Sequence, residues 1–448
     1  MTPSRAGRSI LASVVATVAA LALAGGVAVH PASATGQSAP SPRPESLPPP
    51  DAPADTLAAP RSGQLAAAAV DTRSIPQRLT AAGKDPALGS RVSAVVIDAS
   101  TGAVIYSRNA SLALMPASNE KLTTAFVAIA TMARNKTLLT HVKTNSTKST
   151  VWLVGGGDPG LTVTRAREMA ATTRSALARA GVKSVAVRVD DSLFPAPTSA
   201  IGWKTSYIPG DVTPVRALVV GGRDVMDTGL DAGVIFSNEL KRLGISVSST
   251  ARAKVAPGAT TLDSATSLYV GTLVAQLINT SNNDYAENIH RQSSLAAGKG
   301  ATWAAANGHA LAVLKARGVN TSGFAVQDGS GLSRSNRLSG ATMTSLLLGA
   351  RRDAAINQVF YAPTGMPTAG VSGTLKTRFA TADTSCARGK VRAKTGWLSD
   401  VVSLSGTAYG VDGRERIFSI VENGASSPTA ARLAIERFAT AATGCNPA

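Results

Sequence analysis

The chain has 448 residues and a formal net charge of +18, from 45 Lys and Arg against 27 Asp and Glu. The basic residues are scattered, no basic run occurs, and aromatics make up 4% of the chain, which argues against a nucleic-acid surface and leaves attraction to an anionic cell envelope as the use of the charge. Four histidines (His30, His141, His290, His309) stand apart without ligand spacing, so no metal site, cofactor or histidine-based triad is expected and each is read as a surface residue.

Arg5 and Arg8 precede an apolar core at 10–24 that is too short to span a bilayer comfortably, and Ala32-Ser33-Ala34 offers a small-x-small cleavage site. Residues 1–34 are therefore read as a signal peptide. No lipid-anchoring cysteine follows, and no later stretch reaches spanning length. The mature chain is expected to be exported, extracellular or wall-associated, with no transmembrane segment. Residues 35–75 are rich in Pro and Ala around Pro48-Pro49-Pro50 and cannot bury a core, so they form either a tether or a leftover without a role. Only Cys386 and Cys445 are present. In an exported chain they are expected to bridge and pin the C-terminal tail near Lys394, although their separation is invisible in the sequence.

Alternation at 92–98, a turn at 99–102 and a return at 103–106 predict a hairpin. Ser118 then opens an apolar helical pattern that runs from Leu122 to Met132, with Glu120 in its first turn. A strand at 150–154 breaks at Gly155-Gly156-Gly157-Asp158-Pro159, which lacks the Gly-Lys-Ser/Thr of a phosphate loop. A helix at 165–180 and a strand at 185–189 follow, and 146–262 is read as an insertion into a domain whose two parts are 76–145 and 263–448. Within the second part, a helix at 267–278 stops at a polar cluster, Ser281-Asn282-Asn283. Asp328-Gly329-Ser330-Gly331-Leu332-Ser333 is a loop before a helix. Strands at 391–395, 401–408 and 416–421 precede a closing amphipathic helix at 428–442. Strands at both ends of the chain suggest one antiparallel sheet with helices packed on it, an α/β (α+β) domain.

The helix at Ser118 carries chemistry. Lys121 lies one turn on, so hydroxyl and amine share a face. A bland reading makes Ser118 an N-cap and Lys121 a solvated lysine. Against it, the chain holds no other Ser-x-x-Lys, and Ser281-Asn282-Asn283 and Lys394-Thr395-Gly396 follow in order. Any one of these is weak; Ser-x-Asn also occurs at Ser107-Arg108-Asn109.

Together with Gly202-Trp203, Ala286-Glu287 and Ser372-Gly373-Thr374-Leu375, these motifs resemble the D-alanyl-D-alanine carboxypeptidase/endopeptidases of the S13 type, the class C low-molecular-mass penicillin-binding proteins. The resemblance implies a serine β-lactamase/D,D-peptidase-like transpeptidase domain with inserted domains between the first and second motifs. It implies attack by Ser118 on the penultimate D-Ala of peptidoglycan stem peptides, with β-lactam antibiotics as inhibitors. Lys121 would be the base, kept neutral by a positive Lys394. Ser281 would relay the proton and Asn283 would hold substrate and lysine. Lys394 and Thr395 would bind the terminal carboxylate, and Gly396 would make room for a substrate strand. The backbone N–H groups of Ser118 and Trp397 would hold the oxyanion, although Trp397 departs from the small Thr or Ser more usual there. Asp158 would reach over the cleft to a side-chain amine of the substrate, or else make only a local turn bond. A β-lactamase or D-amino-acid esterase with the same nucleophile is the alternative enzyme, and a non-catalytic peptidoglycan-binding relative is the alternative non-enzyme.

Overall fold

The computed structural model describes residues 73–446. The stretch read as a signal peptide, and the linker up to residue 72, lie outside them. The linker's last residues already belong to the fold: Ser74 precedes α1 (Ile75–Ala82), and its N–H donates to Gln77 Oε1 at 2.9 Å.

The expected hairpin forms from β1 (Val92–Asp98) and β2 (Val104–Arg108), and α2 (Glu120–Thr131) follows. The chain then builds a second sheet from β3 (Leu139–Thr144), β4 (Thr150–Val154), β5 (Ser184–Asp190), β6 (Ser246–Arg252) and β7 (Thr260–Thr266), in the order β6-β5-β4-β3-β7. The β4–β5 and β5–β6 pairs are parallel, so each needs a crossover, supplied by α3 (Val163–Arg179) and α4 (Thr228–Arg242). Met169, Leu177, Phe236 and Leu240 of these helices pack on Val151, Leu153, Val187 and Val189 in a core of their own. The flanking strands β3 and β7 pair with each other and extend this sheet beyond 146–262 at both ends. They and β6 escape the sequence reading because they are rich in Ser and Thr and present no apolar run.

Five helices then precede the last three strands. They are α5 (Val270–Thr280), α6 (Asn283–Ala296), α7 (Trp303–Ala316), α8 (Gly340–Arg352) and α9 (Ala354–Phe360). Antiparallel β8 (Val391–Leu398), β9 (Val401–Tyr409) and β10 (Glu415–Asn423) lead into α10 (Pro428–Thr443). β1 pairs with β10 from Val92↔Glu422 to Asp98↔Arg416, giving the order β2-β1-β10-β9-β8. Val95 and Ile97 face a helical core with Phe126, Val274 and Leu346. Ala94 and Val96 face Ile435 and Phe438 of α10 on the other side. With both faces covered, β1 has no need of an alternating polar face.

Cys386 and Cys445 are bridged, with Cα atoms 6.0 Å apart, which ties the C-terminus beside β8. One surface assignment is corrected. His290 is 2% exposed, its ring bonds to Asn307 Oδ1 at 2.9 Å, and burial pushes its pKa down to about 4. Among the described residues no helix is long and apolar enough to cross a membrane.

Candidate active site

Ser118 lies where the chain turns from the sheet into α2. It is not an N-cap: Ala117–Asn119 forms a 3-10 turn, and no side chain caps α2. The turn is held from outside. Asn423 of β10 accepts from Met115 N (2.9 Å) and donates to Met115 O (3.0 Å). Ser403 Oγ of β9 donates to Pro116 O (2.7 Å) and accepts from Asn119 Nδ2 (2.5 Å). Between these clamps Ala117 has φ +48°, a left-handed conformation that costs an alanine free energy and persists only where the surroundings impose it.

Two glycines make the turn fit. A Cβ at Gly331 would lie 1.9 Å from Ala117 O, and one at Gly396 would lie 2.1 Å from Ser403 Oγ. The second contact gives Gly396 a role the sequence reading did not name: its missing side chain makes room for the clamp behind the nucleophile.

Lys121 is fully buried. Its Nζ lies 3.0 Å from Ser118 Oγ, 2.6 Å from Asn283 Oδ1 and 2.6 Å from Ser330 O. Asn283 begins α6, and its Nδ2 donates to Asp211 O at 2.8 Å, which assigns Oδ1 to the lysine side. Carbonyl oxygens only accept. A neutral amine would therefore direct its two N–H bonds to Asn283 and Ser330, leaving its lone pair for the Ser118 hydroxyl.

The loop that delivers Ser330 O is built on buried carboxylates. Asp328 accepts from Gly331 N (3.0 Å), Ser333 N (2.7 Å), Asn336 Nδ2 (2.6 Å) and Trp203 Nε1 (2.7 Å). Glu287 accepts from Gly329 N (2.9 Å) and Ser330 N (2.8 Å). Sequence reasoning missed Ser330 O as a lysine partner, since a backbone carbonyl has no signature in the sequence. The only available signal was the Asp-Gly-Ser-Gly motif itself.

Ser281 ends α5 with φ 62° and places its Oγ 2.9 Å from Lys394 Nζ. That amine also donates to Thr395 O (2.7 Å), and Thr395 Oγ1 lies 2.9 Å from Thr374 Oγ1. Burial pushes Lys121 down to about 8, while Glu287, Asp328 and Glu120 pull it back up. Burial also drives Lys394 well below the ordinary amine range, with the Lys121 charge adding to the effect. Burial, more than the charge of one amine on the other, is thus the first cause of their lowered basicity.

These groups open on a cleft of about 430 Å³ lined by Ser118, Ser281, Asn283, Thr374, Thr395 and Trp397. The indole of Trp397 is 48% exposed at its rim. The inserted segment contributes Lys204, Ser206, Tyr207 and Asp211 to the same cleft. Trp203 ties that segment to Asp328, and Thr213 N donates to Asp284 Oδ1 at 2.8 Å.

Asp158 is not brought into this group. It is 3% exposed, its Oδ1 accepts from Gly160 N (2.8 Å), and burial pushes its pKa up to about 6. Gln292 of α6 donates to Gly156 O (2.7 Å), which holds the glycine loop against that helix. The insertion meets the cleft through 204–211, a stretch whose only sequence signal was the preceding Gly202-Trp203.

The description "D-Ala-D-Ala carboxypeptidase 3 (S13) family" belongs to a family whose sequence model matches residues 75–224 and 207–442. Carboxypeptidase DacB of Mycolicibacterium smegmatis is 32% identical over 467 residues, covering 98% of this chain and 96% of that protein. The D-alanyl-D-alanine carboxypeptidase of an Actinomadura species is 28% identical, over 79% of this chain and 81% of its own length. Among solved structures, penicillin binding protein 4 (dacB) from Haemophilus influenzae shares the fold with a TM-score of 0.70, at 19% identity, over 81% of this chain and 97% of that one. The chain therefore belongs to the D-Ala-D-Ala carboxypeptidase 3 (S13) family.

Proposed function

We infer that this chain is a serine D-Ala-D-Ala carboxypeptidase/endopeptidase that cleaves peptidoglycan stem peptides through an acyl-enzyme at Ser118, the residue that penicillins also acylate. The observation that carries the reading is the lysine arrangement: Nζ is 3.0 Å from Ser118 Oγ, with carbonyl oxygens at its other two contacts. Ser118 Oγ attacks the carbonyl of the penultimate D-Ala while its proton passes to Lys121 Nζ. The backbone N–H groups of Ser118 and Trp397 hold the developing oxyanion, each contributing about 3 kcal/mol. The C–N bond then breaks, and the leaving amine of the last D-Ala takes a proton relayed by Ser281. Water, deprotonated by the same lysine, hydrolyses the ester. Thr395 and Lys394 bind the substrate's carboxylate. The signal-like residues 1–34 support export to the compartment where this substrate lies.

Labelled penicillin and peptide mapping test the reading. The label is expected on Ser118, D-Ala is expected to be released from an acyl-D-Ala-D-Ala peptide, and Ser118→Ala should fold yet carry no label. Label that survives in the alanine variant would overturn the nucleophile. Rapid penicillin turnover without D-Ala release would make the chain a β-lactamase instead.

A further inference from the structure

β8 is the outer strand of its sheet, and its outer edge is occupied only at the start. Ala393 N donates to Pro367 O (2.9 Å), Ala369 N donates to Val391 O (2.9 Å), and Thr368 bridges to Arg392. Among the described residues no strand or bridge covers that edge beyond Arg392. The covering segment then turns back. Ser372 Oγ accepts from Thr368 N (3.0 Å), and Leu375 is buried in the core with Ala369 and Phe379. This anchoring presents Thr374, on the short turn between them, to the cleft.

Two residues of the cleft wall, Thr395 and Trp397, alternate along β8. The indole offers no hydroxyl, so the strand brings one at this end. Thr374 brings another, 2.9 Å from it. Lys394 lies behind both, its Nζ 2.7 Å from Thr395 O.

We propose that Thr374 is a specificity-determining residue that, together with Thr395, holds the C-terminal carboxylate of the substrate and so selects peptides with a free C-terminus. The inference rests on the D-Ala-D-Ala reading above. The two hydroxyls bond to each other, so one hydrogen is turned onto the neighbour's lone pair. A carboxylate reaching both can accept both hydrogens, and bonds to an ionised acceptor are the stronger kind. A peptide ending in an amide has no charge to offer and carries donors that meet the same hydroxyls less well.

The test compares kcat/KM for an acyl-D-Ala-D-Ala peptide with that for the same peptide ending in D-alaninamide, in wild type, Thr374→Val and Thr374→Ser. The preference for the free acid should fall about tenfold in the valine variant, the effect of one bond to a charged group, and return in the serine variant. An unchanged preference in Thr374→Val, with or without a lower overall rate, would leave Thr374 a packing residue and overturn the proposal. A wild type without preference for the free acid would also overturn it. Should the valine variant fail to fold by circular dichroism, Thr374→Ala supplies the comparison. A wild type that cleaves neither peptide would instead refute the D-Ala-D-Ala reading.

Discussion

Replacing Lys121 by arginine separates charge from basicity. Arginine keeps the positive charge and can still donate to Asn283 Oδ1 and Ser330 O, but it does not give up a proton at workable pH. In the wild type the Lys121 amine sits at about 8. Roughly a tenth of the molecules then hold it neutral at pH 7, and roughly nine tenths at pH 9. Raising the pH removes the proton from the base, so penicillin acylation should rise about tenfold over that interval and level off above it. The arginine variant should lose about 10²–10⁴-fold in acylation rate, the share of a positioned general base, and show no such rise. Time-resolved labelling at several pH values measures both effects, with circular dichroism to confirm that the variant is folded. An arginine variant within tenfold of wild type, or a flat wild-type profile from pH 7 to 9, would refute the assignment of Lys121 as base.

Ser403→Ala takes the acceptor from Asn119 Nδ2 in a buried site and leaves Pro116 O with the Asn119 N–H alone. It should cost about 1–3 kcal/mol in urea unfolding and also slow acylation, because the strained Ala117 is freed to relax; a full-rate variant would show that the clamp does not position Ser118. Asp158→Asn keeps an oxygen for Gly160 N, so kcat/KM should change equally for peptides with free and acetylated side-chain amines. A loss confined to the free amine would return Asp158 to substrate recognition. Removing the Cys386–Cys445 bridge, which spans 59 residues, should lower stability by about 2–4 kcal/mol. Non-reducing mass spectrometry should find the two peptides joined, and free alkylation of both thiols would contradict the bridge.

The largely apolar runs of β1, β9 and β10 made the main sheet legible, because strands buried on two faces need no polar side. Ser118, Lys121, Ser281, Asn283, Lys394 and Thr395 were all named from their motifs, and the fold gathers them in one site. The edge strands of the second sheet were not legible, since Ser- and Thr-rich segments acquire strand geometry from their neighbours. Asp158 misled for a related reason: a Gly-Gly-Gly-Asp-Pro turn reads the same whether its carboxylate faces a cleft or folds back onto Gly160 N.

By itself, the sequence determined which groups could do chemistry, because nucleophile, base and relay are side chains at short spacings within their own helix, turn or strand. Only the tertiary structure decided what surrounds them. It brought Ser330 O to Lys121, Ser403 to Pro116, Thr374 to Thr395 and residues 204–211 to the cleft. These partners lie far apart in the chain or act through backbone atoms, and such contacts exist only once distant segments pack together. Burial, which lowers both amines, belongs to the same level, since it is a property of the packed whole and of no single residue.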